Sequence, residues 1–196
     1  MDLQKRVTAI LTRPREEWPV IEPEPTDVAT LYKSYIALLA AIPAVAGFVG
    51  LVVVGVSVPF AGHVRWGVGA GLRWAIFQYI GALIGPYIAA LVLSKLAPTF
   101  NSREDFIQAL KLVAYSMTPV WLAGVLSLIP VLSPLSIVGA LYAIYLLYLG
   151  VPVLMKTPAD KVIPYLVVSL IVVFLVNIVV FLIIGAISGT GGMWGM

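Results

Sequence analysis

Residues 112–155 read LVAYSMTPVWLAGVLSLIPVLSPLSIVGALYAIYLLYLGVPVLM and carry no charged side chain. A bilayer core is about 30 Å thick and takes roughly 20 apolar residues as helix, so this run is too long for one crossing. Its middle supplies a break. Pro130-Val131-Leu132-Ser133-Pro134 sets two prolines close together, and a proline more readily ends one helix or starts another than continues one. The run therefore divides into spans near 112–130 and 134–155.

Working outward, further uncharged runs lie at 34–62, bounded by His63, at 74–94 and at 162–196. Each holds one span, which brings the expected total to five. Composition agrees: 61% of the 196 residues are hydrophobic and 11% are charged, against about a quarter charged in soluble chains. Mean hydropathy is +1.05. The expected fold class is all-α: a polytopic membrane protein with a five-helix transmembrane bundle and a short N-terminal amphipathic helix.

Five spans put the two ends of the chain on opposite sides. Lys5, Arg6, Arg13, Arg15, Lys33, Lys95, Arg103, Lys111, Lys156 and Lys161 all fall on one side with every Asp and Glu, and only Arg65 and Arg73 fall on the other. Positive residues stay inside. The expected location is the cell membrane, multi-pass, with a cytoplasmic N-terminus and the C-terminus opposite. No nucleic-acid partner is expected.

Three segments follow: a cytoplasmic N-terminal segment at 1–33, a membrane domain at 34–188 and a Gly-rich tail at 189–196. In the first, Leu3, Val7, Ile10 and Leu11 recur at helical spacing, which predicts an amphipathic helix lying on the membrane surface and ended by Arg13-Pro14. No apolar core of signal-peptide length follows the first basic residues. The proline-rich REEWPVIEPEPTD after it predicts an extended path. Trp18 is expected at headgroup level.

Few residues offer chemistry. There is no cysteine and one histidine, His63, whereas a metal site needs several converging ligands. No charge falls within an expected span, which argues against proton-coupled transport. No serine sits in a nucleophile elbow, and the tail SGTGGMWGM lacks the lysine and following helix of a phosphate loop. The chain reads as a non-enzyme without cofactor.

Polar groups inside the spans are Gln78, Tyr115, Ser116 and Asn177, read as intramembrane contacts between helices. Tyr142, Tyr145 and Tyr148 read as helix-bridging aromatics. Gly81 and Gly85 form a GxxxG ahead of Pro86, a motif for close approach to another span or another copy. Pro43, Pro86, Pro119, Pro152 and Pro164 place a break in or beside each span, and broken helices also occur at transport sites. Transport of a neutral solute is therefore the second reading.

The island KTPADK, Lys156 to Lys161, predicts the start of the last helix. Thr157 stands as cap, Pro158 at the first helical position and Asp160 three residues after the cap. With Arg103, Glu104 and Asp105, the residues Lys156, Asp160 and Lys161 form a candidate cytoplasmic interaction surface.

The segments ILTRPREEWPVIEPEP, LYKSYIALLAAIPAVAGFVG, AYSMTPVWLAGVLSLIP and YAIYLLYLGVPVLMKTPADKVIPYLVV resemble the prokaryotic branch of the Yip family, the Ypt/Rab-interacting membrane proteins. The resemblance runs from about Gln4 to Ile187. Tyr115-Ser116 with Pro119 resembles the family's YS-x-x-P pattern, and Gly150 with 156–161 its fourth-loop pattern. It implies five spans and a cytoplasmic N-terminus. The DLYGP motif of eukaryotic relatives is missing, Leu31-Tyr32-Lys33 being the nearest match, so Rab binding is not implied. The resemblance implies a protein that organises membrane lipids, other membrane proteins or a homo-oligomer. An accessory subunit of a larger complex fits the same residues.

Overall fold

In the computed structural model, residues 2–58 and 62–187 are described, without the side chains of 57, 58, 177 and 180–187. The tail expected at 189–196 lies outside them. Helices α1 (Leu3–Thr12) and α2 (Pro14–Ile21) open the chain. Four helices among the described residues are long and apolar enough to cross a bilayer: α3 (Val28–Val54), α4 (Val68–Phe100), α5 (Phe106–Leu128) and α6 (Pro130–Leu154). The last, α7 (Val162–Ile187), contributes a shorter apolar stretch, Val162–Val176. The protein is thus an all-α polytopic membrane protein, with four such helices counted where the sequence leads to five.

Helix α4 packs against α3, α5 and α7, and α6 packs against α5, α7 and α2. The break read at Pro130 is where α5 gives way to α6, but 3-10 helices at Gly124–Leu128 and Pro130–Ser136 carry the chain through it. Between α3 and α4 lies a hairpin that periodicity does not announce: β1 (Val56–Val58) pairs antiparallel with β2 (Gly62–Val64), Ser57 opposite His63. His63 Nε2 bonds the Val54 carbonyl at 2.8 Å.

Inside α5, Pro119 lacks the amide that would bond the Tyr115 carbonyl. The Thr118 hydroxyl donates to that carbonyl at 2.7 Å and meets the Tyr35 hydroxyl of α3 at 2.6 Å. Close crossings depend on glycine. A Cβ on Gly124 would lie 2.5 Å from Pro43 Cβ, and one on Gly150 would lie 2.5 Å from Leu112 Cδ1 and 2.8 Å from Trp18 Cε2. The indole of Trp18 therefore rests directly on the backbone of α6.

That contact corrects the reading of the N-terminal segment. Trp18 is fully buried, with Ile10, Ile21, Tyr35, Leu110, Leu112, Leu146 and Leu154 beside it in one core. Its Nε1 is buried without a hydrogen-bond partner among the described residues, a cost that the large apolar area of the ring taken out of water offsets. The stripe of α1 faces this core, since Ile10 is buried in it and Leu3, Val7 and Leu11 pack against it, and Tyr142 of α6 donates to the Leu11 carbonyl at 2.7 Å. Nor is the proline-rich stretch extended throughout. Pro14 sits at the first position of α2, Pro19 alone falls inside it, and Pro23 and Pro25 come after its end. Only one hydrogen bond of the helix is lost.

The last helix also starts differently from its expected cap. The Lys161 amide donates to the Pro158 carbonyl at 2.9 Å, closing a turn, and the Lys161 carbonyl accepts from Tyr165 at 2.9 Å. Thr157 is buried, donating to the Val151 carbonyl at 3.4 Å and accepting from Ser102 at 2.8 Å. A buried hydroxyl must be paired, and these partners take it away from the helix end. Pro164 falls in the first turn of α7, where its missing amide costs no bond, so it imposes no bend.

Candidate functional site

Two neighbouring features gather the charged residues at the end of the bundle that carries α1 and α2. The first is an exposed face built from two loops and the N-terminal segment. Asp105 caps α5, accepting from the Gln108 amide at 3.1 Å, and pairs with Arg103 at 2.9 Å. The Arg103 amide donates to the Met155 carbonyl at 2.7 Å, which ties the loop before α5 to the loop before α7. Lys156 reaches Glu22 at 2.6 Å, Glu104 reaches Lys95 at 2.6 Å, and Lys161 stands 3.9 Å from Asp160. Arg103, Glu104, Asp105, Lys156, Asp160 and Lys161 thus occupy one connected surface, with Glu22 and Lys95 joined to it.

Lys156 adopts a left-handed backbone, φ 53°. A non-glycine residue there is uncommon and signals a position fixed by its surroundings. Arg103, Lys156 and Lys161 stay about half exposed while paired with Asp105, Glu22 and Asp160.

The second feature is a buried ionic cluster under α1 and α2. Lys111 reads by its charge as part of a loop, but it lies within α5 and is 2% exposed. This corrects the expectation that no charge enters a span. Its ammonium donates to the carbonyls of Ile21 at 3.0 Å, Glu22 at 3.1 Å and Glu24 at 2.6 Å. Those oxygens close α2, where the helix dipole is negative and carbonyls lack helical partners. An ammonium so placed has its donors satisfied, which offsets the cost of burying it. Gln108 adds a bond to the Glu22 carbonyl at 3.0 Å.

Arg6, 7% exposed, pairs with Glu17 of α2 and Glu24 beyond it. Its guanidinium carbon lies 5.6 Å from the centre of the Tyr115 ring, within reach of a cation–π contact. Tyr115 in turn meets Tyr35 edge-on at 4.8 Å and Trp18 at 6.5 Å. A cavity of about 680 Å³ opens between these charges.

The other polar residues singled out by sequence are dispersed. Ser116 is buried, and its hydroxyl has no hydrogen-bond partner among the described residues. Gln78 is exposed and lines a second cavity of about 410 Å³ with Gly81, Gly85, Pro86, Pro43 and Trp121. A Cβ on Gly81 or Gly85 would meet nothing within 4 Å, so the GxxxG does not serve a contact among the described residues. The side chain of Asn177 lies outside them. Of the tyrosine stripe, Tyr142 bridges to α1, whereas Tyr145 and Tyr148 are exposed.

Arg6, Glu17, Glu24, Lys111 and Thr118 escape a reading based on charge runs. One signal was present: Asp105 followed three residues later by Gln108 is a capping pattern, and a helix begun there carries Lys111 well inside.

Among known proteins, the Yip1 domain family matches residues 8–181 of this chain. Inner membrane protein YohC of Escherichia coli (strain K12) is 28% identical over 149 residues, covering 74% of this chain and 76% of its own. The protein of that name from a second Escherichia coli strain gives the same figures. No solved structure matches.

Proposed function

The chain belongs to the Yip1 domain family, and from that premise we propose that it is a non-enzymatic membrane protein that docks a partner protein on its charged face. That face is cytoplasmic in this reading. One observation carries the proposal: the two loops and the N-terminal segment are locked together through Arg103 to Met155 and Lys156 to Glu22. The surface presents both signs of charge at fixed positions, and such a surface selects partners by charge complementarity.

The test is residue-specific crosslinking from Lys156 and Lys161 in native membranes. One partner is expected on the wild-type chain and its loss is expected in Asp160→Lys, with the variant still folded. Equal capture by both chains, or none by either, would refute docking at this face.

A second reading rests on the cavity around Gln78, which lies against two prolines, Pro43 and Pro86. Both prolines lie inside continuous helices, and the backbone carbonyls they leave without an amide, beside a polar side chain, suit passage of a neutral solute. Flux through liposomes that falls in Gln78→Ala and Asn177→Ala would favour it over docking.

A further inference from the structure

Helices α1 and α2 form a hairpin that runs down into the bundle and back. Glu22, just past α2, pairs with Lys156 at the charged end, Trp18 lies lower, on Gly150, and the Leu11 carbonyl meets Tyr142. Tyr142 is the middle residue of α6, twelve from Pro130 and twelve from Leu154, and at 1.5 Å per residue it lies about 18 Å below Leu154. Helix α1 also packs on Thr118–Ala123, midway along α5. The turn at Arg13-Pro14 therefore sits near the midplane of a hydrocarbon core about 30 Å thick.

The outer face of the hairpin is polar at this depth. Lys5, Thr8, Thr12, Arg13, Arg15 and Glu16 are exposed. The threonine hydroxyls are satisfied by their own helix, Thr8 donating to the Gln4 carbonyl at 2.9 Å and Thr12 to the Thr8 carbonyl at 2.7 Å. The charges have no such recourse, and Arg13, Arg15 and Glu16 take part in none of the ion pairs among the described residues. At the same level on α6 the exposed residues are Val138, Leu141 and Ile144, which suit lipid chains. An arginine side chain is less than half as long as the depth it would have to span, so snorkelling alone does not bring its head to the surface. A charge held at such depth is relieved by local thinning of the bilayer and entry of water.

We propose that the α1–α2 hairpin thins the bilayer beside it, drawing headgroups and water of the leaflet at the charged end down its outer face to Arg13, Arg15 and Glu16. The arginines meet lipid phosphates there and the carboxylate meets water. The driving force is solvation of charge at depth, so the effect needs no pocket and makes no choice among phospholipids. Elsewhere the rim is apolar at mid-depth, with Ile80 and Ile84 of α4 exposed as well as Leu141 of α6. The leaflet keeps its full thickness on those sides, and the depression is confined to the hairpin.

The experiment uses the full chain, which has no cysteine of its own, with a fluorophore on a single introduced thiol. Thr12→Cys reports on the hairpin, and Leu141→Cys reports on the apolar rim at the same depth. Each is placed in phosphatidylcholine vesicles containing lipid spin-labelled either on the headgroup or midway along the acyl chain. The ratio of quenching by the headgroup label to quenching by the chain label is expected above one at Thr12→Cys and below one at Leu141→Cys. Combining Arg13→Leu, Arg15→Leu and Glu16→Leu should bring the Thr12→Cys ratio down to that of Leu141→Cys. A short thiol crosslinker joining Leu11→Cys to Tyr142→Cys shows that the hairpin is seated in the bundle. A ratio below one at Thr12→Cys, weak quenching there by both labels, a ratio untouched by the triple replacement, or absence of the crosslink would each overturn the proposal.

Discussion

Lys111 joins α5 to the end of α2 through a single ammonium, so its removal separates packing from charge. Lys111→Met keeps the length of the side chain but leaves the carbonyls of Ile21, Glu22 and Glu24 without that donor. A hydrogen bond to a charged group is worth about 1.5–3 kcal/mol, and a loss of that order is expected in thermal unfolding. Faster cleavage after Arg13 and Arg15 should accompany it, as α2 lifts from the bundle. Gly150→Ala acts through sterics alone. Its new Cβ would press on Leu112 and Trp18, overpacking that costs about 1–3 kcal/mol. Here Trp18 emission should shift toward the red, and a chain that unfolds at the wild-type temperature would contradict the close approach.

At the scale of elements, helix starts and helix breaks can be tested separately. Asp27 precedes α3 and accepts from the Thr30 amide at 2.6 Å, a bond that holds its carboxyl below the usual 3.8. A depressed carboxyl stabilises the fold above its unfolded value and loses that contribution as pH falls through the folded one. Amide exchange over Val28–Leu31, corrected for intrinsic rate, should therefore rise below pH 3.8. Asp27→Asn should remove the pH dependence while keeping most of the cap. The break in α5 gives a second test. Thr118→Val and Tyr35→Phe remove the two ends of one hydroxyl contact, and their double-mutant cycle should show coupling of about 0.5–3 kcal/mol.

These elements also show how far sequence could be read. Long uncharged runs locate α3, α4, α5 and α6 because hydrocarbon excludes charge over a fixed length, and the Pro130 to Pro134 cluster places the junction of α5 and α6. The N-terminal segment was less legible. A stripe of apolar residues on α1 is compatible with lipid or with protein, and only tertiary contact decides which. Trp18 illustrates the same ambiguity, since an indole suits either a headgroup layer or a glycine on a neighbouring helix. Thr157 had good capping geometry on paper but was claimed by Ser102, a residue 55 positions away. The buried ionic cluster was hidden for a further reason: Arg6, Glu17, Glu24 and Lys111 converge only after α2 folds back onto α5.

For the whole molecule, the expected orientation can be tested directly because the chain has no cysteine and any introduced thiol is unique. An impermeant thiol reagent should label Arg65→Cys in intact cells and Asp160→Cys only after the membrane is opened. The reverse pattern would place the charged face outside and remove the premise of a cytoplasmic partner. The tyrosines carry a further consequence for how such a bundle is made. Tyr32 of α3 donates to the Leu83 carbonyl of α4 at 2.7 Å, Tyr79 of α4 donates back to the Ala37 carbonyl of α3 at 3.2 Å, and Tyr165 of α7 donates to Leu93 of α4 at 2.5 Å. Each hydroxyl uses the second lone pair of a carbonyl on another helix. A lone helix in hydrocarbon would have no such acceptor to offer. Helices α3 and α4 thus satisfy each other's hydroxyls as a pair, and α7, made after α4, finds its acceptor already synthesised.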